Sequence, residues 1–491
     1  MACMSVTISP QRMATLVDGF SRTPAYDGLA GALRLAIGDG RIPYDAKLPS
    51  ERDLTGVLGV SRTTVARAYA LLVDQGYAVA RRGSGTFARV PGGRGRARDR
   101  ALTPSSPATR DVGSGEVQDL VCAATSAPPG IAEAYAAAAA DLPAYLGGHG
   151  YFPTALPQLA EAIAASYERQ GLPTRPEQVL VTTGALSGTA VAARTLLRPG
   201  DRALVESPVY PNAVSALRNF GARITTAPVH RDGWDLDAVG AALRQAAPRA
   251  AYLIPDFQNP TGHLMSGPDR ATLARHLADA HVTPVVDEAH RALVLDEVEV
   301  PAPFATYAPS TITLGSASKA WWGGLRLGWI RMPAARVGEA VEARLGLDLG
   351  APVFEQLVLT HLLAGDGAAL VAQRDRLRVQ RDHLVAAVRR ELPDWRFTVP
   401  AGGMVLWCEL PDVPHASASQ VAHEAERLGL VITAGPQFAA TGGLDRFVRL
   451  PYAQDAGQLD LAVARLARAW ARVADGAGSG RSRAGSPVMV A

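Results

Sequence analysis

Apolar residues recur along the chain at two spacings, and the places where the spacing changes divide the chain into parts. In the predicted head, residues 23–90, Leu29, Leu33 and Ile37 recur at the three- to four-residue spacing of a helix. Residues 1–22, which precede this pattern, are expected to form a weakly structured lead-in.

Two short helices joined by a tight turn are predicted next. Ser50 can cap the first helix, and Asp53 three residues later completes a capping-box arrangement. Gly59 allows the turn, and Ser61 can cap a second helix that runs from Arg62 to about Gln75. Two short helices joined at a glycine predict a helix-turn-helix.

The start of the second helix has the polar side chains that a recognition helix needs. Arg62, Thr63 and Thr64 form its first turn, and Arg67 follows one turn later. Such first-turn residues face base edges or flanking phosphates in a helix-turn-helix bound to DNA. For Arg62 or Arg67 alone, a solvated helix face remains the alternative.

Two short apolar runs around Arg82-Gly83-Ser84-Gly85 predict a β-hairpin wing with arginines at its base. The helix-turn-helix and this hairpin together predict a DNA-binding winged helix. The residues expected at its DNA surface are Ser50, Arg52, Ser61, Arg62, Thr63, Thr64, Arg67, Arg81, Arg82, Gly83 and Ser84.

From residue 118 to about 475, apolar runs of strand length alternate with Ala- and Leu-rich helices, which predicts a mostly parallel α/β sheet. In such sheets the ligand site lies beyond the carboxyl ends of the strands. Residues 361–475 are expected to form a smaller α+β part. The predicted strands are Val179–Thr182, Ala203–Glu206, Ala251–Ile254, Pro284–Val286 and Thr311–Gly315.

Charge differs between the two ends of the chain. Residues 1–110 contain 16 Lys+Arg and 8 Asp+Glu, whereas the whole chain has a net charge of only +3. A basic head favours a nucleic-acid partner, although a basic linker with no partner is the alternative. Residues 91–117, rich in Arg, Gly, Pro, Ser and Thr, predict a flexible linker, and residues 476–491 a disordered tail.

Composition narrows the class of protein. With 491 residues, of which 48% are hydrophobic and 19% charged, the chain is expected to be globular. Its three cysteines show neither pairing nor metal-ligand spacing, so we expect no disulfide framework and no metal site. No apolar run reaches membrane-spanning length and no secretion signal is recognisable, so we expect a cytoplasmic protein.

One lysine, Lys319, lies in a setting that suits the chemistry of a primary amine. Lys47 and Lys319 are the only two lysines, and Lys319 lies in an apolar, Trp- and Gly-rich run with Ser316, Ser318 and Arg326 nearby. A desolvated amine can condense with an aldehyde, which a guanidinium cannot do. Amine, hydroxyls and guanidinium suit pyridoxal phosphate, while a surface lysine on a loop is the alternative.

Further candidates follow the other predicted strands. Gly184 and Ala185 open a helix whose N-terminus suits a phosphate, although an ordinary strand–helix turn has the same pattern. Tyr210 can stack on a heteroaromatic ring or pack in the core. Asn259 lies on a tight turn. Asp287 ends a buried strand, where it can pair with a protonated pyridine nitrogen or cap a helix.

These motifs resemble those of two known families. The head resembles the winged helix of GntR-type regulators in the phrases LPSERDL, GVSRTTVARAY and RRGSGTF. The body resembles the fold-type I pyridoxal-phosphate enzymes of the aspartate aminotransferase superfamily in five phrases that occur in the expected order. These phrases are ESPVYP, NPTG, VVDEAH, SASKAWWGGLRLGW and RFVRLPY.

The second resemblance implies roles for particular residues. Lys319 would form the internal aldimine and move protons, and Asp287 would keep the pyridine nitrogen protonated. Asn259 would bind the ring hydroxyl, and Tyr210 would stack on the ring. The phosphate would be held by Ser316, Ser318, Arg326 and the amides near Gly184 and Ala185.

Two further positions follow from the same resemblance. Arg449 would bind the α-carboxylate of an amino acid, and Tyr145 would reach the cofactor phosphate of the partner subunit in a homodimer. The chain departs from the family at Ala185-Leu186, where a polar residue is usual, and at His290, where tyrosine is usual. We expect His290 to make the group beside the ring hydroxyl pH-sensitive and transamination to be slow.

A winged helix joined through a basic linker to an aminotransferase-like body resembles the MocR subfamily of GntR regulators. This resemblance implies a transcription factor that binds an operator in double-stranded DNA and senses an amino acid, an amine or pyridoxal phosphate through an aldimine on Lys319. The alternatives are an aminotransferase with an accessory DNA-binding domain and a DNA-binding protein with a cofactor-free body.

Overall fold

The computed structural model describes residues 7–38, 41–43, 46–81, 83–89 and 117–476. Arg82 and nearly all of the predicted linker and tail lie outside the described residues. The described chain divides into two units. Residues up to 89 group with residues 127–137, and residues 117–126 group with residues 138–476.

The first unit contains a winged helix, as the sequence predicted. The side chain of Ser50 accepts from the Asp53 amide at 3.2 Å, and that of Ser61 accepts from the Thr64 amide at 3.1 Å. Gly59 ends the first of these two helices at φ +63°, a left-handed conformation that favours glycine. The helices are Pro10–Leu16, Ala25–Gly38, Glu51–Leu58 and Arg62–Asp74, followed by the antiparallel strands Ala78–Arg81 (β1) and Gly85–Ala88 (β2).

The expectation of a weakly structured lead-in was wrong for residues 7–22, and residues 1–6 lie outside the described residues. Residues 10–16 form a helix with Ser9 as its cap, and Ile8, Met13 and Val17 are buried in the same core as Leu29, Leu33 and Leu72. The segment is short, with only one turn-spaced set of apolar residues, so its pattern could not be distinguished from a loop. Packing against the rest of the winged helix is what makes it helical.

The second unit is built on an eight-stranded sheet with the order β4-β11-β10-β9-β8-β5-β6-β7. Strands β5, β6, β8, β9 and β10 run parallel, whereas β11 and β7 are antiparallel to their neighbours. Its strands are Val179–Thr182 (β4), Arg202–Ser207 (β5), Arg223–His230 (β6), Gly233–Trp234 (β7), Ala250–Leu253 (β8), Thr283–Asp287 (β9), Ile312–Ser316 (β10) and Gly328–Arg331 (β11). All five predicted strands are present, within a residue or two of the predicted bounds.

Helices alternate with the strands of this sheet and of a smaller sheet, and the first of them, Ile131–Asp141, belongs largely to the first unit. The helices are Ile131–Asp141, Pro157–Glu168, Ala185–Leu196, Pro211–Asn219, Leu236–Ala246, Gly267–Asp279, Ala317–Ala320, Val337–Leu345, Val353–Ala364, Ala368–Glu391, Ala418–Arg427 and Ala456–Ala474. Short 3₁₀ turns include Leu142–Tyr145 and Gly323–Leu325.

The smaller sheet has the order β12-β15-β14, from the strands Val405–Glu409 (β12), Thr433–Ala434 (β14) and Phe447–Pro451 (β15). A separate parallel pair joins Gln118–Asp119 (β3) to Leu430–Val431 (β13). The predicted fold class, a winged helix followed by a mostly parallel α/β body, is confirmed. Among the described helices, none is long and apolar enough to cross a membrane.

Met13→Ala is expected to destabilise the winged helix by about 2–5 kcal/mol, because it removes a fully buried side chain from a small core. Hydrogen exchange of the Arg62–Asp74 amides in urea would measure the loss. Gln11→Ala, on the exposed side of the same helix, is the matched control and should change little. Equal exchange in both variants would contradict a structural role for the lead-in helix.

Candidate cofactor and DNA sites

A cavity of about 520 Å³ lies at the carboxyl end of the parallel strands in the second unit. Strands β9 and β10 end there at Asp287 and Ser316, and the segments after β4, β5 and β8 supply the other walls. The structure therefore brings together ten residues that the sequence selected. They are Gly184, Ala185, Tyr210, Asn259, Asp287, His290, Ser316, Ser318, Lys319 and Arg326.

Lys319 presents its amine to this cavity from a single helical turn after β10. Its Nζ donates to the carbonyl oxygen of Ala123 at 3.0 Å. Burial lowers the pKa of the amine to about 8, and the positive charges of Arg449 and Arg326 also lower it, while Cys122 and Asp287 act in the opposite direction. A pKa near 8 leaves roughly a tenth of the amine neutral and nucleophilic at pH 7.

Asp287 is the buried acid of the site. Its Oδ2 accepts from the Tyr252 hydroxyl at 2.5 Å and its Oδ1 from the Ala289 amide at 2.8 Å. Burial raises the pKa of Asp287, while these two hydrogen bonds and the charge of Lys319 offset part of that rise. A carboxylate in this position gains from a cationic partner, and a protonated pyridine nitrogen is such a partner.

The part of the cavity that would bind the phosphate combines hydrogen-bond donors with the small residues Gly184, Ser316 and Ser318. Gly184, at φ +103°, precedes the Ala185–Leu196 helix, and a β-carbon at Gly184 would lie 3.6 Å from Nη2 of Arg326. Ser316 and Ser318 line the same cavity, and the Ser318 amide donates to the Ser316 hydroxyl at 3.2 Å. A helix N-terminus, two hydroxyls and a guanidinium suit a dianion, so these residues fit pyridoxal phosphate.

Tyr210 and Asn259 lie on two loops. The buried carboxylate of Glu206 links these loops through hydrogen bonds. Glu206 accepts from the Gln258 side-chain amide at 3.1 Å, and the same amide donates to the Pro208 carbonyl at 2.8 Å. Burial raises the pKa of Glu206 to about 7. This network fixes the loop that carries Tyr210 against the loop that carries Asn259, and it was not foreseen from the sequence.

His290 differs from the expectation that it would be pH-sensitive. Burial and the nearby charge of Lys319 lower the pKa of His290 to about 4, so the imidazole is neutral at physiological pH. Its Nδ1 is 3.1 Å from the Phe257 carbonyl, which can only accept, so Nδ1 carries the proton. Nε2 is therefore an acceptor, where the tyrosine of the related enzymes has a hydroxyl donor.

Arg449 and Tyr145 do not line the cavity. The guanidinium of Arg449 is fully buried behind Asn259, to whose Oδ1 it donates at 3.3 Å, and it also donates to the Val121 carbonyl. Tyr145 accepts from the Gln158 amide at the surface of the second unit. The roles assigned to both residues remain predictions, and that of Tyr145 needs a second subunit.

Sequence reasoning missed two partners of the site. Tyr252 lies within a correctly predicted strand beside the strand that ends at Asp287, so a polar group in a buried run was an available signal. Ala123, by contrast, contributes only its backbone carbonyl to Lys319. A backbone contact of this kind has no signature in side-chain types.

The predicted DNA surface of the first unit is exposed. Arg52, Arg62, Thr63 and Arg67 are exposed, and Thr64 is half-buried. Arg62 lies 3.3 Å from Glu51, an exposed ion pair that contributes little to stability.

Two arginines of this surface, Arg67 and Arg81, stack on aromatic rings. The guanidinium of Arg67 lies 3.9 Å from the Tyr26 ring centre, and that of Arg81 lies 4.3 Å from the Phe87 ring centre. Gly83 and Ser84 are exposed at the hairpin turn, and Ser50 and Ser61 act as helix caps. Contact of any of these residues with DNA stays a prediction.

The rate at which cofactor-free protein takes up pyridoxal phosphate should rise with pH to a midpoint of about 8. The sign follows because only the neutral amine attacks an aldehyde, and burial lowers the pKa of Lys319. Stopped-flow absorbance in the visible would measure it. Borohydride should then fix the cofactor on Lys319 in wild type and in Lys47→Arg, and a label on Lys47 would contradict the assignment.

Replacing both Arg62 and Arg67 with alanine should abolish specific operator binding and leave the visible spectrum of the cofactor unchanged. If each contacts a phosphate, either single substitution should reduce the slope of log affinity against log salt by about 1. Fluorescence anisotropy over a salt series would measure both. Arg34→Ala, an exposed arginine beside Gln75, is the matched control, and equal affinity in both variants would place the DNA surface elsewhere.

Comparison with known proteins agrees with this geometry. The model of the aminotransferase class I and II family matches residues 123–466, and that of the gntR family of bacterial regulatory proteins matches residues 25–88. The chain resembles the solved structure of LysN, an alpha-aminoadipate aminotransferase from Thermus thermophilus complexed with N-(5'-phosphopyridoxyl)-L-leucine. The TM-score is 0.66 at 32% identity, covering 75% of this chain and 95% of LysN.

Two relatives are similar to this chain along most of their length. The chain is 28% identical over 460 residues to the uncharacterized HTH-type transcriptional regulator YdcR of Escherichia coli, covering 88% of this chain and 96% of YdcR. It is 29% identical over 410 residues to the probable rhizopine catabolism regulatory protein MocR of Rhizobium meliloti, covering 77% and 80%. The chain therefore belongs to the aminotransferase class I and II family, whose cofactor is pyridoxal phosphate, and carries a gntR-family winged helix in the arrangement of MocR-type proteins.

Proposed function

We propose that the chain is a pyridoxal-phosphate-dependent transcriptional regulator of the MocR type. Its winged helix binds an operator in double-stranded DNA, and its body senses an amino acid, an amine or the cofactor itself at Lys319. It acts in the cytoplasm as a homodimer, in which Tyr145 reaches the cofactor phosphate of the partner subunit.

The observation that carries this proposal is that one chain contains both a cofactor cavity and an exposed arginine-rich recognition helix. Ten residues selected from the sequence line a single cavity of about 520 Å³. Arg62, Thr63 and Arg67 are exposed on the winged helix. A metabolic aminotransferase has no use for such a helix, whereas a sensor of its own ligand has use for both parts.

The residues of the cavity would hold the cofactor and activate one amine. Pyridoxal phosphate, when bound, supplies an aldehyde and an electron-withdrawing ring. Asp287 would pair with the ring nitrogen, Tyr210 would stack on the ring and Asn259 would bind the ring hydroxyl. Lys319, with its lowered pKa, would supply the amine that holds the cofactor and would accept or release a proton at Nζ.

Regulation requires that an effector bind more tightly to one state of the protein than to another. Coupling between ligand and operator sites is typically about 1–3 kcal/mol, or roughly 5–150-fold in affinity. Lys319 and Arg449 lie far in the sequence from the recognition helix, so we expect the effector to act through the body rather than by touching DNA.

The alternative is an aminotransferase with an accessory DNA-binding domain. The likeness to LysN and the ten selected residues that line the cavity favour some chemistry at this site. Leu186, which is 39% exposed, and the neutral His290 replace polar donors of the related enzymes. We therefore expect slow or undetectable turnover.

Arg449→Ala should still bind pyridoxal phosphate and the operator but should no longer respond to amino acids, because it loses the guanidinium that binds a carboxylate. Operator affinity with and without a panel of amino acids would measure the response, and half-transamination rates on the same samples would measure chemistry. Arg446→Ala, an exposed arginine near the same strand, is the matched control and should respond as wild type does.

Two results would decide against the regulator. One is fast multiple turnover by wild type, and the other is an operator affinity that no amino acid, amine or cofactor changes. Together they would leave an aminotransferase with a DNA-binding appendage.

A further inference from the structure

The body contains a second cavity, of about 200 Å³, that shares no lining residue with the cofactor cavity. One part of its lining comes from the end of β6 and from the loops after β5 and β8. The other part comes from β12, from the start of β15 and from residues 396–398, which precede β12. Drug-sized ligands occupy pockets of about 300–1,000 Å³, so a cavity of this size suits a ligand with a single ring.

Aromatic side chains form much of this lining. The rings of Trp407 and Phe447 stack on each other, with centroids 5.2 Å apart and planes within 3° of parallel. Trp407 is also held edge-on by Phe438, at 5.4 Å between centroids, and the half-buried Phe397 adds a third ring to the lining. Rings that are fixed in this way favour a planar aromatic ligand, because ring pairs gain more than the burial of their area alone.

The charged residues of the lining favour an anion. Arg231, which follows β6, and Arg396, which precedes β12, are exposed, and neither guanidinium has an ion-pair or hydrogen-bond partner among the described residues. The acid of the lining, Glu409, lies 3.8 Å from the guanidinium of Arg446, which offsets its charge. Two guanidiniums thus remain available to a carboxylate, their preferred planar partner. We refer to this second cavity as the aromatic cavity.

The aromatic cavity and the cofactor cavity lie against the same two loops. Pro208 and Thr261 line the aromatic cavity, whereas Tyr210 and Asn259, each two residues away, line the cofactor cavity. Gln258 joins the loops: its amide donates to the Pro208 carbonyl at 2.8 Å, and its Oε1 accepts from the amide and the hydroxyl of Thr261 at 2.9 and 2.8 Å. A ligand that contacts Pro208 and Thr261 therefore bears on the loops that position Tyr210 and Asn259.

We propose that the aromatic cavity is a second small-molecule site, which binds an aromatic acid and raises the affinity of the body for pyridoxal phosphate. The ring packs against Trp407 and Phe447, and the anionic group pairs with Arg231 and Arg396. Binding fixes the two loops joined by Gln258 before the cofactor arrives, so the cofactor loses less conformational freedom when it binds. The inference goes beyond the proposed function, because it requires neither DNA binding nor turnover.

Binding is tested on full-length protein whose cofactor has been fixed by borohydride, so that the cofactor cavity is occupied. The probe is 4-fluorobenzoate, followed by fluorine NMR. Its matched control is 4-fluorobenzamide, which has the same ring and nearly the same shape without the charge. We expect saturable binding of the benzoate and at least about tenfold weaker binding of the amide, because the amide lacks the charge-assisted hydrogen bonds. Acetate, which has the charge without the ring, should compete at least about tenfold less well than unlabelled benzoate.

Single substitutions locate the site. Arg231→Gln and Arg396→Gln should each weaken binding of 4-fluorobenzoate by about three- to tenfold, the range for one exposed charge-assisted contact, and should leave the amide unaffected. Arg223→Gln is the matched control, because Arg223 is an exposed arginine at the start of β6 outside the lining. Phe397→Leu, which retains an apolar side chain but removes a ring, should weaken the binding of both probes.

The effect on the cofactor is measured with cofactor-free protein. Pyridoxal phosphate is titrated by visible absorbance with and without saturating 4-fluorobenzoate, which should raise the cofactor affinity by about fivefold or more. The double variant Arg231→Gln/Arg396→Gln should show no such gain. Thr261→Val retains the branched side chain but removes the hydroxyl that donates to Gln258, so it should still bind the probe and show a smaller gain.

Four results would overturn the inference or a named part of it. Equal affinity for the benzoate and the amide would refute the preference for an acid. Wild-type affinity in both single arginine variants would place the probe outside the aromatic cavity. An unchanged cofactor affinity would refute the coupling, as would a probe that lowers the cofactor affinity equally in wild type and the double variant, because such a probe competes in the cofactor cavity. None of these measurements includes DNA, so each outcome leaves the proposed regulator to its own test.

Discussion

The chemistry proposed for the body depends on one primary amine, that of Lys319, which is shielded from water beside fixed positive charges. Burial is the main cause that lowers the pKa of Lys319 to about 8; the charges of Arg449 and Arg326 act in the same direction, and Cys122 and Asp287 oppose them. A guanidinium in the same place would stay protonated and could not react. This requirement explains why lysine remains at residue 319 of a chain whose other basic residues, apart from Lys47, are arginines.

The fold meets this requirement by ending its parallel strands at one edge. Asp287 and Ser316 close β9 and β10, and the loops after β5 and β8 are fixed to each other by the buried Glu206 and Gln258. Each side chain of the cavity is thus anchored by a strand whose register is set by its neighbours. A site built in this way can lose a polar group, as at Leu186, without losing its shape.

The sequence predicted those features that side-chain type and spacing encode. The five strands, the caps Ser50 and Ser61 and the ten residues of the cavity all follow from local pattern or motif, because each needs a particular residue at a particular place. Features set by packing were not predictable. The lead-in helix depends on the core that buries Met13, and the low pKa of His290 depends on complete burial.

Backbone contacts are the features that the sequence predicts least. The carbonyls of Val121 and Ala123 accept from the guanidinium of Arg449 and the amine of Lys319, yet any residue could supply these carbonyls. The resemblance suggested that Arg449 binds a carboxylate, but only the structure shows that its Nη2 already donates to the Val121 carbonyl while its buried Nε has no hydrogen-bond partner among the described residues.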